Sequence, residues 1–283
     1  MESAQRRVVR VVTPVRVLEG AGVRLMRSIA LPQLDYLDPF LLFDHFGSDN
    51  PADYIAGFPM HPHRGIETVT YMLAGLVHHK DSLGNEGSIR AGDVQWMSAG
   101  GGILHEEMPK PVDGKMEGFQ LWVNLPAKLK LTKPCYQEVA SATIPEVTLE
   151  GGGTLRLIAG IFGSSRGPVK DIAAQPTYFD VTLPPGTSFL HTLPRGQAAF
   201  AYIFRGEGKF DDDSTVSSPK LAVFGDGERI RVTTEESEVR FVLASGKPLH
   251  EPIARYGPFV MNTAEEIDQA LRDLRNGTFV WKG

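Results

Sequence analysis

Apolar residues in this chain fall in short runs that are separated by glycines, prolines and polar turns. The runs are rich in Val, Ile, Phe and Tyr, and 30 glycines and 20 prolines interrupt them. β-branched and aromatic residues suit a pleated, half-buried surface, and closely spaced turn residues are typical of sandwiches and barrels. We therefore predict an all-β fold with strands at residues 67–73, 93–97, 119–124, 154–161, 178–183, 198–204, 221–224 and 239–243.

One segment near the C-terminus has the apolar spacing of a helix instead. Thr263 and Glu266 have the T-x-x-E spacing of a capping box, in which two side chains satisfy the first backbone amides of a helix. Apolar residues then recur every three or four positions from Ile267 to Leu274, and Gly277 supplies a stop. We predict a short C-terminal helix whose apolar stripe packs on the core.

A weak internal repeat divides the chain. Residues 67–97 and residues 198–224 each run from a strand through a glycine and a polar hairpin into a second strand beside a Gly-Asp turn. A repeated unit of this kind indicates two similar domains. We predict two β-barrels of the jelly-roll type, an N-terminal one at residues 1–137 and a C-terminal one at residues 138–283. The stretch 130–150, which contains proline and leads into glycines, is the expected junction.

Charge and cysteine content restrict the setting. A net charge of -5 argues against a general nucleic-acid binder. Arg6, Arg7 and Arg10 form a small basic cluster that we expect on a solvated strand or tail. The single cysteine rules out a disulfide framework, and no apolar run resembles a signal peptide or a membrane span. We expect a cytoplasmic protein that does not associate with membranes.

Three histidines have the spacing of metal ligands. His61 and His63 are separated by one residue, as are His105 and Glu107, and residues i and i+2 of a strand share a face. If the two strands pair, three imidazoles and one carboxylate meet at one point, and these groups are usual ligands of divalent first-row metals. We predict one metal site per chain, in the N-terminal barrel. The glycines just before His105 leave open a bulge that would exchange the faces of Glu106 and Glu107.

The remaining histidines and one further acid have weaker signals. Glu67 has the parity of the first histidine pair, so simple alternation aims it inward, where it would orient a metal ligand. His78 and His79 are adjacent, so at most one of them can face a barrel interior, and we expect exposed hairpin residues. His45 and His191 are interpreted as hydrogen-bonded structural residues.

Several longer blocks resemble one known family. They are residues 38–46 (DPFLLFDHF), 61–65 (HPHRG) with 67–69 (ETV), 92–97 (GDVQWM), 102–105 (GILH), 120–124 (QLWVN) and 256–263 (YGPFVMNT). On these residues the chain is similar to the pirins, two-domain members of the cupin superfamily. The resemblance implies two cupin barrels, the second without a metal.

The resemblance also implies a cofactor and an activity. Pirins carry a non-haem metal, usually iron, through three histidines and a glutamate, and the matching positions are His61, His63, His105 and Glu107. We expect Fe(2+), with Mn, Ni, Co, Cu or Zn as alternatives. Several pirins act as quercetin 2,3-dioxygenases, so a flavonol and O2 are the expected substrates, carbon monoxide is an expected product, and Glu107 is the candidate catalytic base.

A second hypothesis from a different class stays open. Animal pirins serve as redox-sensitive transcriptional co-regulators, so the alternative is an iron-dependent regulatory protein that acts through protein partners. In either case we expect a monomer without direct contact to nucleic acid.

Overall fold

A computed structural model describes residues 4–281, and strands dominate it. The first strands are β1 (Val8–Val12), β2 (Val15–Glu19), β3 (Val23–Ile29), β4 (Phe40–Ser48), β5 (Phe58–His63), β6 (Ile66–Ala74), β7 (Leu76–Asp81), β8 (Glu86–Arg90), β9 (Val94–Ser98), β10 (Ile103–Lys110), β11 (Met116–Asn124) and β12 (Cys135–Val139). The later elements are β13 (Glu146–Thr148), β14 (Thr154–Ala159), β15 (Ile161–Phe162), β16 (Ser165–Arg166), β17 (Thr177–Leu183), β18 (Ser188–Thr192), β19 (Ala198–Lys209), β20 (Thr215–Ser217), β21 (Lys220–Phe224), β22 (Arg229–Thr233), β23 (Val239–Gly246), β24 (Ala254–Tyr256), β25 (Phe259–Met261) and helix α1 (Ala264–Arg275).

Each strand predicted from the apolar runs overlaps an observed strand, so the all-β prediction is confirmed. The predicted helix is also confirmed as α1. Its capping box forms as expected, because the Thr263 hydroxyl accepts from the Glu266 amide and the Glu266 carboxylate accepts from the Thr263 amide. In the described residues no helix is long and apolar enough to cross a membrane.

The chain divides into two compact units, and neither is continuous in sequence. The histidine barrel comprises residues 15–30 and 40–141 and the segment from Leu249 onward. The aromatic barrel comprises the segment through Pro14 and residues 31–39 and 142–248. The single boundary between residues 137 and 138 stays a prediction about domain organisation. Strand pairing explains the interleaved segments of the aromatic barrel, since β1 continues its sheet beside β21.

Two antiparallel sheets form most of the histidine barrel. The larger has the order β12-β9-β6-β11-β4-β3-β2, and the smaller has the order β5-β10-β7-β8. Residues of both sheets line one cavity, and buried apolar side chains such as Leu25, Phe46 and Met116 lie beside it. The short pair β24-β25 and helix α1 belong to the same unit and have an apolar cluster of their own around Phe259 and Phe279.

The aromatic barrel is built on a sheet with the path β1-β21-β19-β23-β17-β14-β13, to which β18, β20 and β22 attach. Its interior holds one continuous cluster of buried apolar residues. Phenylalanine rings contact one another through it, with Phe189 and Phe210 both against Phe241 at centroid distances of 5.9 and 5.2 Å. Packing of this kind stabilises the barrel by burial of large apolar surfaces.

The expectation of a solvated basic cluster was wrong for Arg6. This side chain is fully buried in the aromatic barrel. Its guanidinium donates to the carbonyl oxygens of Pro194 at 2.9 Å, Gln197 at 2.6 Å and Gly227 at 3.1 Å. Five guanidinium donors can satisfy several loop carbonyls at once, which no count of charges along the sequence reveals.

Candidate metal centre

The pairing of β5 with β10 brings the predicted histidines together. His61 lies directly opposite His105 in the antiparallel register, and His63 lies opposite Ile103. Ring nitrogens of His61, His63 and His105 all lie within 4.8 Å of one another. The Nε2 atoms of His61 and His63 are only 3.1 Å apart. The two separated motifs therefore converge on one point, as the spacing predicted.

The protonation and environment of these imidazoles fit a metal. Nδ1 of His61 lies 2.9 Å from the Pro59 carbonyl oxygen, so Nδ1–H donates there and Nε2 keeps its lone pair. His105 is buried, and neither of its ring nitrogens has a hydrogen-bond partner among the described residues. Burial holds the pKa of His63 well below its usual range, with His61 adding to the effect. Burial likewise lowers the pKa of His105, assisted by His63. Converging imidazoles, two of which burial keeps neutral, are a donor set that suits a divalent first-row metal.

Strand alternation places Glu107, and not Glu106, on the face of the histidines. His105 and Glu107 are buried, whereas Glu106 is partly exposed and does not line the cavity. A bulge is present, but it falls on β5: from His105 to Glu107 the partner residue moves from His61 to Phe58. The extra residue on β5 leaves the alternation of β10 intact.

Glu107 lies outside the group of three histidines and has a different partner. The hydroxyl of Thr70 is 3.0 Å from Glu107 Oε1. The carboxylate therefore lines the same cavity as His61 and His63 and accepts a hydrogen bond from the facing sheet. Coordination by Glu107 stays a prediction.

His61 and His63 line a cavity of about 570 Å³. Most of its exposed wall is apolar, and its polar groups come from both sheets, as in small-molecule sites. The apolar side chains include Leu25, Leu42, Phe46, Phe58, Val77, Met116 and Trp122, and the polar ones include Glu19, Arg27, Asp44, His61, His63, Thr70, Glu107, Gln120 and Arg255.

The inward orientation expected for Glu67 was wrong. Between β5 and β6 the chain turns at Gly65, whose φ of +79° and contact with the Val260 carbonyl admit no side chain. The alternation of strand faces counted from His63 therefore does not continue past this turn. Glu67 lies opposite Val123, whereas the cavity face of β6 presents Thr70. Glu67 is nevertheless buried, and burial raises its pKa to about 7.

The expectation of exposure was wrong for His79. It is buried, and its Nε2 lies 2.9 Å from Glu138 Oε1 while its ring stacks on Tyr136. Gly87 on the neighbouring strand makes room, because a Cβ there would lie 2.6 Å from the imidazole. His79 shares the buried face of β7 with Val77 and Asp81.

His45 and His191 have structural environments, but the predicted hydrogen bonding is absent at Nε2 of His191, which has no partner among the described residues. His45 Nε2 lies 3.4 Å from Glu117 Oε1, and its ring packs on Phe119. His191 is buried among phenylalanine rings of the aromatic barrel, at 4.9 Å from Phe179.

A buried lysine that the sequence does not single out contacts the turn that follows His63. The fully buried Lys130 donates from Nζ to the Gly65 carbonyl at 2.9 Å, the Val260 carbonyl at 2.9 Å and Asn124 Oδ1 at 2.8 Å. Burial lowers the pKa of Lys130 to about 8. Lys130 thus joins the turn that follows His63 to the C-terminal segment.

Arg64 adds a second tie at the same turn. Its Nη1 lies 2.7 Å from Asp273 Oδ2 on α1, and its Nη2 donates to the Phe279 carbonyl at 3.0 Å. A lone Lys or Arg gives no local signal for such a role, since the acceptors lie far away in sequence.

Comparison with known proteins identifies the family and agrees with the fold. The Pirin family model matches residues 22–123, and the model of the Pirin C-terminal cupin domain matches residues 178–280. A pirin-like protein of Caulobacter vibrioides is 43% identical over 275 residues, which are 97% of this chain and 99% of that protein. Pirin of Homo sapiens is 43% identical over 265 residues, 91% of this chain and 88% of its own length.

A solved structure extends the comparison. Quercetin 2,3-dioxygenase from Acinetobacter baumannii matches with a TM-score of 0.90 at 34% identity, over 98% of this chain and 99% of that one. The two cupin barrels predicted from the sequence are therefore confirmed. With both pirin domains in order and extensive identity over nearly its whole length, the chain belongs to the pirin family.

Proposed function

We propose that this protein is a metal-dependent dioxygenase that opens the central ring of a flavonol such as quercetin. The observation that carries the proposal is a cluster of three converging imidazoles, of which His61 and His63 line a largely apolar cavity together with the carboxylate of Glu107. A relative from Pseudomonas aeruginosa, 46% identical over 265 residues, is named a putative quercetin 2,3-dioxygenase, and that name and the name of the matching solved structure support this activity.

His61, His63 and His105 would hold the metal, and Glu107 would complete its protein ligands. The family resemblance favours iron(II), and the donor set also suits other divalent first-row ions. A redox-active metal supplies the electron transfer that lets a closed-shell flavonol react with dioxygen.

The chain's own residues have three tasks in this reaction. Glu107 takes the proton of the flavonol 3-hydroxyl, since the oxygen that accepts from Thr70 keeps a second acceptor position when the other oxygen would bind the metal. Trp122, Leu42 and Phe46 give the cavity apolar walls that exclude water from the reacting ring. The overall change is balanced: both atoms of dioxygen enter the products, two ring bonds break, and one ring carbon leaves as carbon monoxide.

Aerobic incubation of the iron-loaded protein with quercetin tests the proposal. Loss of flavonol absorbance should accompany release of carbon monoxide in equal amounts. His61→Ala should abolish both, while His78→Ala, on the half-buried face of β7, should leave both unchanged. Absence of turnover with a fully loaded metal site would refute the enzyme and favour the regulatory alternative.

A further inference from the structure

A row of polar side chains crosses one wall of the cavity. Arg27 on β3 lies opposite Asp44 on β4, Asp44 lies opposite Gln120 on β11, and Gln120 lies opposite Thr70 on β6. Adjacent strands are ~4.8 Å apart, so these four residues, which we call the polar row, extend over about 14 Å. Each of the four lines the cavity.

Hydrogen bonds link the row to the candidate catalytic base. The Thr70 hydroxyl lies 2.8 Å from Gln120 Oε1 and 3.0 Å from Glu107 Oε1. One hydroxyl has one proton, so it donates to Glu107 when the Gln120 amide is turned to donate to Thr70. The row thus runs from Glu107, beside the histidines, to the Asp44–Arg27 pair at its other end.

Asp44 is held as an acceptor at the far end of the row. Arg27 donates to both of its carboxylate oxygens, at 2.8 and 2.7 Å, and also pairs with Glu19 at 2.7 Å. The two oxygens of an ionised carboxylate have about four acceptor positions in all, so the two hydrogen bonds from Arg27 leave further positions on Asp44 free. Because Arg27 already contacts two carboxylates, this end of the cavity suits neutral hydrogen-bond donors better than anions.

Apolar side chains flank the polar row. Trp122 lies opposite Leu42 on one side of it, and Phe46 lies opposite Leu25 on the other. All four line the cavity. A ligand in contact with the row would therefore have flat apolar faces and polar edges.

We propose that the polar row selects an elongated polyhydroxylated aromatic, with Asp44 accepting hydrogen bonds from hydroxyls on the ring that lies farthest from the histidines. The proposal rests on the proposed function and deepens it by naming a specificity-determining residue. A ligand without those hydroxyls would cover Asp44 and exclude water from it without donating a hydrogen bond in return. A site built to bind a hydroxyl discriminates strongly against the analogue that lacks it.

The test measures binding without oxygen, so that it is independent of turnover. The metal-loaded protein would be titrated with quercetin and with 3,5,7-trihydroxyflavone, and quenching of its tryptophan fluorescence would report binding. The second compound lacks the two hydroxyls that quercetin has on its phenyl ring, the ring that the proposal places against Asp44. The unaltered protein should bind quercetin about tenfold more tightly or better, a ratio typical of one to two such hydrogen bonds. Equal affinities would overturn the proposal, and this measurement depends on no variant.

A matched control variant is available in the aromatic barrel. There Arg240 donates to both oxygens of the buried Asp180, at 3.0 and 2.7 Å, which reproduces the ion pair of Arg27 and Asp44 outside the cavity. Asp44→Asn should reduce the ratio of affinities to within about twofold, whereas Asp180→Asn should leave it unchanged. An equal loss in both variants would overturn the specific role of Asp44.

The outcomes separate this proposal from the proposed function. A tenfold preference for quercetin without aerobic turnover would support the role of the polar row and refute the proposed dioxygenase activity. Turnover of quercetin with equal binding of both flavonols would support the dioxygenase and refute the row.

Discussion

The two barrels contain similar parts and differ in what fills them. Each has a buried aspartate held by an arginine on the next strand, Asp44 with Arg27 in the histidine barrel and Asp180 with Arg240 in the aromatic barrel. Around the first pair, side chains leave a cavity with three converging imidazoles. The aromatic barrel instead packs its one histidine, His191, within rings that include Phe162 and Phe179. Of two similar barrels, the one with the candidate site is therefore the one whose interior is not filled by aromatic rings and whose strands carry converging histidines.

The largest expected difference between the barrels is in metal binding. His105→Ala should weaken metal binding by more than the 10–100-fold typical of outer-shell partners, because it removes a direct ligand. His191→Ala should leave metal affinity unchanged. Metal content per chain after dialysis against a graded chelator would measure both. Comparable losses in the two variants would remove the distinction between the barrels.

A buried acid in the histidine barrel should make stability fall as pH rises. Burial raises the pKa of Glu67 from 4.5 to about 7, so between these values the folded chain binds more protons than the unfolded one. The free energy of unfolding should therefore decrease across this window by up to about 3 kcal/mol. Glu67→Gln should remove that decrease. Urea titrations of both proteins at pH 4.5, 6 and 8 would measure it, and parallel pH profiles would contradict it.

The histidine of the aromatic barrel should act with the opposite sign. Burial lowers the pKa of His191 from 6.5 to about 4, so the unfolded chain binds more protons between these values. This residue makes the free energy of unfolding rise with pH, by about 2–3 kcal/mol between pH 4 and 6.5. His191→Phe, which keeps an aromatic ring, should flatten the rise. A steeper rise in the variant would show that another group is responsible.

The last expected difference is between the two adjacent acids of β10, only one of which lines the cavity. Glu107→Gln should weaken metal binding by roughly 10–100-fold and stop flavonol turnover, because it loses a ligand charge and the proton acceptor. Glu106→Gln, which points away from the cavity, should leave both nearly unchanged. Calorimetric titration with metal would provide the affinities. If Glu107→Gln retains its metal but loses turnover, the residue is a base and the site has three protein ligands.

Local spacing was sufficient to predict the centre of the site. His61, His63, His105 and Glu107 lie where alternation along two strands predicts them, because each pair depends only on the geometry of its own strand. The capping box of α1 was predictable for the same reason. Strands β1 and β2 were not among the predicted strands, although four of the five residues of β1 are valines, and most residues of both strands are exposed.

The orientations of Glu67 and His79 were predicted wrongly, because they depend on a turn between two strands or on residues that are not neighbours along the chain. Glu67 was assigned to the wrong face because Gly65 interrupts the alternation between two strands. His79 was expected at the surface because nothing near it in sequence indicates Gly87 and Glu138 as its neighbours. Lys130 shows the same limit, as its acceptors Gly65 and Val260 are far from it along the chain.

The sequence by itself determined the main strands, the helix and the shared face of His61 with His63 and of His105 with Glu107, because periodicity and i, i+2 spacing are local properties of the backbone. The pairing of β5 with β10, which brings the three histidines together, belongs to the tertiary structure. Only the tertiary structure decided the interleaved units, the cavity and the row from Arg27 to Thr70. That row depends on the register of four strands taken from separate parts of the chain. Register is set by packing of whole faces and by turns, so no single segment contains it.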